Sequence, residues 1–396
     1  MNKFITAAEH GQNWRGVAQK LLQAIVPQLD ACTPRPNLGF LYITDKLARD
    51  SQSIVELLRA ISDVPFWVGV TGAAVFAQSD IYTDKPAASC LLMHIEESDF
   101  AMIGLSQEGY KADMKRLVDT HMDTQAVTSH FYCHPDAALK PEQAVQDIYA
   151  RTVSFQTGGV AAARGAHKVF SQNKTDDLLA GCCFSAQVPI LSMLSDGFVP
   201  IGEDHEITRC KPNMILALDG APASDVLLND LHPWLKQAAP DNEAITASVG
   251  SLLAQLPTLS GSMQLGFRYY KNDMSGLAIK NFVGCNHQDG WVATTHEVKA
   301  GEQVCFVFRD FVELKKDLAK KLMDLRARLQ DEDVLDRIKG GIYISHASRL
   351  DKNAPDIEMT LIKEIIGDIP LAGFYSSGEI ANDRLYSFTG VLTLFL

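Results

Sequence analysis

The sequence predicts an α/β protein with mixed sheets, built as two pseudo-symmetric halves, each a sheet covered by helices, packed as one body. Three observations carry this expectation. The first is a segment that occurs twice. Asn37-Leu38-Gly39-Phe40-Leu41-Tyr42-Ile43-Thr44 leads through an amphipathic stretch to Asp63-Val64-Pro65 and then Gly69-Val70-Thr71-Gly72. Near the other end, Gly340-Gly341-Ile342-Tyr343-Ile344-Ser345 leads through a second such stretch to Asp368-Ile369-Pro370 and then Gly373-Phe374-Tyr375-Ser376-Ser377-Gly378. Each copy reads as strand, polar loop, helix, short strand, Gly/Ser-rich turn and closing apolar strand. The shared Asp-(Val/Ile)-Pro favours duplication over the chance likeness of two α/β units. The second observation is that runs of strands lie between the helices, which favours mixed over all-parallel sheets. The third is size and composition. A chain of 396 residues, 46% hydrophobic and 21% charged, fits two globular domains of ordinary size, with no low-complexity linker between them.

The elements follow in order. Apolar residues at Trp14, Val17, Ala18, Leu21, Leu22, Ile25 and Leu29 predict a helix that Thr33-Pro34-Arg35-Pro36 ends. A helix over 51–62 buries Ile54, Val55, Leu58 and Ile61, with Ser51 or Ser53 as its cap. Strands are expected at 66–71, 87–95 and 100–105. The polar stretch from Gly109 to Lys140 reads as a helix plus loop insertion, followed by a helix from Pro141 to about Ser154 and a strand or Gly-rich turn at Gly158-Gly159. Leu178–Ser185 and Val188–Leu194 read as a hairpin pair. The second half opens with a strand that ends at Asp219-Gly220, then a short helix and another near Ile245–Leu256. Four strands, at 263–270, 277–285, 292–298 and 304–308, precede a helix with Leu314, Leu318, Leu322, Leu325 and Leu329 on one face.

Several function classes are disfavoured. A net charge of −12 without a sizeable Lys/Arg cluster argues against nucleic acid and anionic membranes as partners. No stretch approaches a transmembrane helix, and the start of the chain lacks the apolar core of a signal peptide. The eight cysteines form no CxxC pair, and Cys90, Cys182, Cys183, Cys285 and Cys305 lie in apolar runs, as reduced core cysteines do. These features predict a cytoplasmic protein. No nucleophile elbow, phosphate loop or dinucleotide fingerprint is present, so no enzyme is expected. His130 and His134 stand at metal-ligand spacing, but Pro135 and the lack of a nearby Glu remove the metalloprotease pattern, and no metal is expected.

Symmetry between the halves aims their Gly/Ser turns at one cleft. In the second turn, Tyr375-Ser376-Ser377-Gly378-Glu379, consecutive N–H groups with two hydroxyls beside them suit a carboxylate or phosphate, and Glu379 suits an amino group. Thr71 and Gly72 are the counterparts in the first half. Arg349, after the strand at 341–345, suits bidentate capture of a carboxylate, against the plainer reading of an ion pair with Asp351 or Asp356.

At the closing repeat the chain resembles the FIST family of bacterial sensory domains. The resemblance rests on Asp368-Ile369-Pro370-Leu371-Ala372-Gly373-Phe374-Tyr375-Ser376-Ser377-Gly378-Glu379-Ile380 with Thr389-Gly390-Val391-Leu392-Thr393-Leu394-Phe395. It extends to Asp196-Gly197-Phe198-Val199-Pro200-Ile201-Gly202, to Leu218-Asp219-Gly220-Ala221-Pro222-Ala223, and to the turn at Val68–Gly72. It implies an N-terminal helix plus FIST N-like domain over 1–205 and a FIST C-like domain over 206–396. Where relatives carry a Ser-Cys-x-x-Arg-like segment, this chain has Ser345-His346-Ala347-Ser348-Arg349, so a thiol-dependent property does not transfer. The resemblance implies small-ligand sensing, with amino acids or small carboxylates as ligands and a separate partner protein to receive the signal. Some proteins resembling the family are haem-based nitric oxide sensors. On that alternative any haem is non-covalent, since no Cys-x-x-Cys-His motif exists, and His94 and His346, after apolar strands, are its axial candidates. His121, His130 and His134 fit that environment less well. An uncharacterised enzyme and a scaffold are the remaining alternatives.

Overall fold

The computed structural model describes residues 4–106, 108–136, 139–171, 178–238, 263–271, 274–351 and 353–396. The chain forms two compact units, one made of 1–196 with 317–396 and the other of 197–316.

The first unit repeats one topology three times. The first module runs β1 (Ile5–His10), α1 (Trp14–Asp30), β2 (Leu38–Thr44), α2 (Ser51–Ser62), β3 (Phe66–Gly72), the hairpin β4 (Ala74–Ala77) and β5 (Asp80–Thr83), and β6 (Ala87–Met93). Within it β2 and β3 are parallel, β6 runs antiparallel to β2, and β1 antiparallel to β6. The second module is β7 (Phe100–Leu105), α3 (Tyr110–Thr124), β8 (Ala126–Cys133), α4 (Pro141–Thr152), β9 (Phe155–Val160), β10 (Val169–Ser171) and β11 (Leu179–Ser185), with the same pairing senses.

The third module starts with β12 (Ile190–Ser195), and the second unit is inserted after that strand. The inserted elements are β13 (Phe198–Lys211), β14 (Met214–Leu218), β15 (Ala221–Pro222), α5 (Ala223–Ala238), β16 (Met263–Lys271), β17 (Met274–Asn286), β18 (Trp291–Thr294) and β19 (Gln303–Arg309). The third module resumes with α6 (Phe311–Asp331), β20 (Gly340–His346), α7 (Ile357–Ile366), β21 (Leu371–Ser376), the hairpin β22 (Gly378–Ala381) and β23 (Arg384–Tyr386), and β24 (Gly390–Phe395). Again β20 and β21 are parallel, with β24 and β12 added antiparallel.

Each module then lends an arm to another module's sheet. β4–β5 pairs onto β21, β22–β23 onto β9, and β10 onto β3, every time antiparallel. The exchange is cyclic and yields three sheets, ordered β1-β6-β2-β3-β10, β7-β11-β8-β9-β22-β23 and β12-β24-β20-β21-β4-β5. Alternation along the strands decides the layers. Phe40, Tyr42, Val68 and Val70 of the first sheet, Tyr132, Ala180 and Cys182 of the second, and Ile342, Ile344, Ala372 and Phe374 of the third share one central core. The opposite face of each sheet packs on that module's own two helices in three separate clusters. Strands buried on both faces explain why β2, β6 and β24 read as unbroken apolar runs. One glycine recurs where the second and third strands of a module press together. A Cβ on Gly69, Gly158 or Gly373 would lie 2.2, 1.8 or 1.7 Å from the carbonyl of Leu41, Phe131 or Tyr343.

The second unit is an antiparallel sheet closed on itself, β13-β19-β16-β17-β18-β14, because β13 also pairs with β14. β13 serves both partners by breaking register near Gly202, where φ is +73° and a side chain would strike Asp230. Its core joins Ile201, Ile215, Leu265, Phe267 and Val304 with Val226, Leu227 and Leu231 of α5.

The mixed α/β class is as expected, and both copies of the repeat read in the sequence are present. A third copy of the same topology lies between them. The stretch 109–140 is not a helix plus loop alone, because it contains the interior strand β8. Leu178–Ser185 and Val188–Leu194 are not a hairpin, since β11 lies between β7 and β8 while β12 pairs with β24. The helix expected near Ile245–Leu256 lies outside the described residues. The compact units divide the chain at 196/197 and 316/317, where the sequence placed one boundary at 205/206.

Candidate functional site

The three modules meet at the ends of their third strands. By register, Gly69, Gly158 and Gly373 hold one position of the repeat, which makes Thr71, Val160 and Tyr375 equivalent, and likewise Ala73, Ala162 and Ser377. The backbone closes a ring through these two sets. Ala73 N–H donates to Tyr375 O (2.9 Å), Ser377 N–H to Val160 O (3.2 Å) and Ala162 N–H to Thr71 O (3.0 Å). Each bond crosses from one module to another, so the three chain ends are fixed relative to each other without side chains.

Beside this ring lies a cavity of about 570 Å³, lined by Ala73, Ala162 and Ser377 together with residues that follow the neighbouring strands. Ile81, Ala163, Ala347, Leu350 and Pro355 supply its apolar wall, and Thr83, Asp84, Arg164, His167 and Ser377 its polar groups. Arg164 Nη1 donates to Asp84 Oδ1 at 2.5 Å, and both side chains are exposed. The Arg164 N–H donates to Asp45 Oδ2 (3.2 Å), holding the 161–168 segment against the first module. That segment is also pinned by Thr71, whose N–H donates to Lys168 O and whose Oγ1 accepts from Lys168 N–H, both at 3.0 Å. His167 Nδ1 meets Asp136 Oδ2 at 2.9 Å, with the His134 ring 5.8 Å away. Burial lowers the pKa of His134, whose Nδ1 accepts from Asp136 N–H (3.2 Å), so His134 stands as a neutral prop. The result is a site with a guanidinium, a carboxylate, an imidazole and two hydroxyls on an apolar wall. Such a lining suits a small polar organic ligand.

Of the residues singled out in the sequence, Ser377 lines the cavity, and its Oγ donates to Ala161 O (2.8 Å). Gly72 and Gly378 flank lining residues, Gly72 closing β3 and Gly378 pairing with Val160 at the root of an arm. Thr71 and Tyr375 enter the ring through their carbonyls. The Tyr375 hydroxyl is buried and donates to Pro355 O (3.4 Å), and burial raises its pKa well above the usual phenol value.

Arg349 does not face the cleft. It is buried with every donor engaged: Nε and Nη2 contact Glu358 Oε1 (2.9 and 2.8 Å), Nη1 donates to Ser195 O (2.8 Å) and Phe388 O (3.5 Å), and Nη2 to Ser195 Oγ (3.2 Å). Burial by itself would lower its pKa; the Glu358 carboxylate more than reverses this. Neither Asp351 nor Asp356 is the partner. Glu379 is likewise buried away from the cavity, bonded to Ser376 Oγ and, through Oε2, to Thr389 N–H (3.1 Å) and Oγ1 (2.8 Å). Ser376 Oγ also donates to Ser345 O (3.3 Å).

The two histidines weighed as haem ligands make hydrogen bonds within the chain. His94 has Nδ1 on Arg35 O (3.0 Å) and Nε2 facing Glu96 Oε1 (3.4 Å), a polar setting unlike the apolar wall that axial ligation asks for. His346 uses Nδ1 to accept from Ser348 N–H (3.1 Å), as its counterpart His134 does from Asp136. His130 is wholly buried on β8, its Nε2 bonded to Tyr132 OH (2.9 Å) and its pKa lowered to about 3 by burial. Among the described residues no three His, Cys, Asp or Glu side chains form a group able to hold a metal ion.

Asp84, Arg164 and His167 were not read from the sequence. The signal that finds Arg164 is the third repeat: aligning Gly158 with Gly69 and Gly373 puts Ala162 at the ring position and makes Ala163-Arg164-Gly165 the exit from it.

The FIST N domain family matches residues 37–221 and the FIST C domain family matches residues 243–382. The two family matches thus meet between 221 and 243, inside the second compact unit. An uncharacterized protein of Mycobacterium bovis is 24% identical over 382 residues, spanning 91% of this chain and 89% of its own. One from Mycobacterium tuberculosis matches to the same extent, and a second from that species is 25% identical over 254 residues, 60% of each chain. Among the described residues no helix is long and apolar enough to cross a membrane.

Proposed function

Since this chain belongs to the FIST family, we propose that it is a sensor whose small ligand occupies the cavity beside the three-module ring. FIST domains are associated with signal transduction and small-ligand sensing, and the family is sensory rather than catalytic. The observation that carries the reading is the 570 Å³ cavity with Asp84, Arg164, His167 and Ser377 on an apolar wall. Its volume falls within the range of small-molecule sites, roughly 300–1,000 Å³. An opposed carboxylate and guanidinium match a ligand carrying an amino and a carboxylate group, such as an amino acid; the guanidinium alone suits a small carboxylate. Asp84 and Arg164 are exposed and paired with each other, so a ligand can exchange one weak surface pair for two of its own. A ligand held by all three modules biases their mutual arrangement, which a separate partner protein in the cytoplasm reads.

Thermal-shift screening of the full chain with amino acids and small carboxylates tests this. A hit lost on Arg164→Ala, with the fold intact, supports the reading. Full affinity in Arg164→Ala and in Ser377→Val would move the ligand elsewhere.

A further inference from the structure

Behind the ring, the third module buries an unbalanced set of charges. Arg349, Glu358 and Glu379 are all within 1% of full burial, two carboxylates to one guanidinium. Arg349 spends its five donors on Glu358, Ser195 and Phe388, and gives none to Glu379. A buried carboxylate that no cation bonds directly takes up a proton more readily than a paired one. The hydrogen bonds fit that neutral form. Ser376 Oγ lies in donor range of both Glu379 Oε1 and Ser345 O, and its single proton cannot serve both; a proton on Oε1 would resolve this by leaving the Ser376 proton to Ser345 O, while Thr389 N–H and Oγ1 donate to Oε2. Every polar atom of a neutral carboxyl is thereby satisfied.

The position of Glu379 gives this consequence. It stands on β22, where the arm leaves for the second module and pairs Glu379 with Gly159. Two residues earlier is Ser377, which both lines the cavity and donates into the ring. Thr389, its other anchor, starts the return to β24 and accepts from His346 N–H through its carbonyl (2.9 Å). The titratable and charged groups on the elements around it are Tyr343 and His346 of β20, Arg349 after it, Glu358 of α7, Tyr375 of β21, and Arg384 and Tyr386 of β23, where Tyr386 stands opposite Glu379.

We propose that Glu379 is a proton-operated latch for the ring: neutral, it ties the β22–β23 arm to β21 and to the start of β24, and on losing its proton it loosens Ser377. Burial pushes the Glu379 carboxyl up to about 7, with Ser376, Thr389 and the charge of Arg349 only partly opposing it, so the latch changes state near neutral pH. The sign follows. A folded-state value above the ordinary one of 4.5 makes its contribution full at acid pH and lost as pH rises through about 7. The extension to ligand affinity rests on the reading of the cavity given above; the latch itself does not.

The test therefore uses ligand-free, full-length protein. Amide exchange at Ala73, Ala162 and Ser377 is followed from pH 6 to pH 8, after correction for the intrinsic rate. The expected result is a threefold or greater excess acceleration in the wild type that Glu379→Gln abolishes. No excess in the wild type, or the same excess in Glu379→Gln, overturns the latch. Should Glu379→Gln fail to fold, the side-chain carbon shift of Glu379 in the wild type decides: a midpoint below pH 5 overturns the proposal and one near 7 sustains it. A pH-dependent ring in a protein that takes no ligand would leave the latch standing and refute the sensor reading alone.

Discussion

Replacing Arg349 by Ala separates the two roles this residue was weighed for. In the structure it is a buried counter-charge, so its removal leaves Glu358 held by Tyr343 OH (3.0 Å) and Ser345 Oγ (2.7 Å) with no cation. Breaking a buried pair from one side costs roughly 3–5 kcal/mol, more than the pair itself contributes. For a unit of this size that lowers Tm by about 10 °C, taking roughly 2–4 °C per kcal/mol. Urea unfolding monitored by tryptophan fluorescence measures it, and Arg349→Met combined with Glu358→Leu should recover most of the loss. A variant within 1 kcal/mol of wild type, yet blind to a ligand the wild type binds, would refute the reasoning and return Arg349 to the site.

Other expectations are simpler. Gly373→Ala places a methyl 1.7 Å from Tyr343 O and should cost more than about 3 kcal/mol or prevent folding, by the same urea assay. Val153, a β-branched residue at φ +51° and 74% exposed, should gain about 1 kcal/mol on replacement by Gly, read as a higher Tm. Asn13→Ala should lose about 1 kcal/mol, because Asn13 Oδ1 accepts from Gly16 N–H at the start of α1. In the inserted unit, burial opposes the charge on His205, but Asp219 Oδ2 (2.6 Å) and Asp230 Oδ2 (2.9 Å) win and raise its pKa. Its contribution is therefore full below the ordinary imidazole value and lost as pH rises past the raised one. His205→Ala should flatten that part of the stability profile.

The fold was legible where local physics decides it. The stripe of α1 and the apolar runs of β2, β6 and β24 are set by burial, which periodicity reports directly. β8 was hidden because Thr128, Ser129 and His130 are polar yet interior: Ser129 Oγ is bonded to His121 Nε2 (2.6 Å) and His130 to Tyr132. A strand whose polar groups find buried partners shows no apolar run. The third repeat went unseen for the same reason, and with it Arg164. Of the site residues named from the sequence, Ser377 lines the cavity beside the ring. Arg349 and Glu379 looked like ligand contacts because a sequence shows a charge without showing its partner. Glu358 and Thr389, which hold them, lie 9 and 10 residues further along the chain.

The exchange of arms has a consequence for how the chain reaches its native state. The middle sheet ends in strands drawn from 378–386, and the last sheet ends in strands drawn from 74–83. Neither can be finished by its own stretch of polypeptide. During synthesis the first two thirds of the protein must wait with open edges until the C-terminal third emerges. Closing such distant contacts is slow, and an unfinished edge invites pairing with a neighbouring nascent chain. Premature termination before residue 378 should thus leave aggregates in place of a smaller folded product.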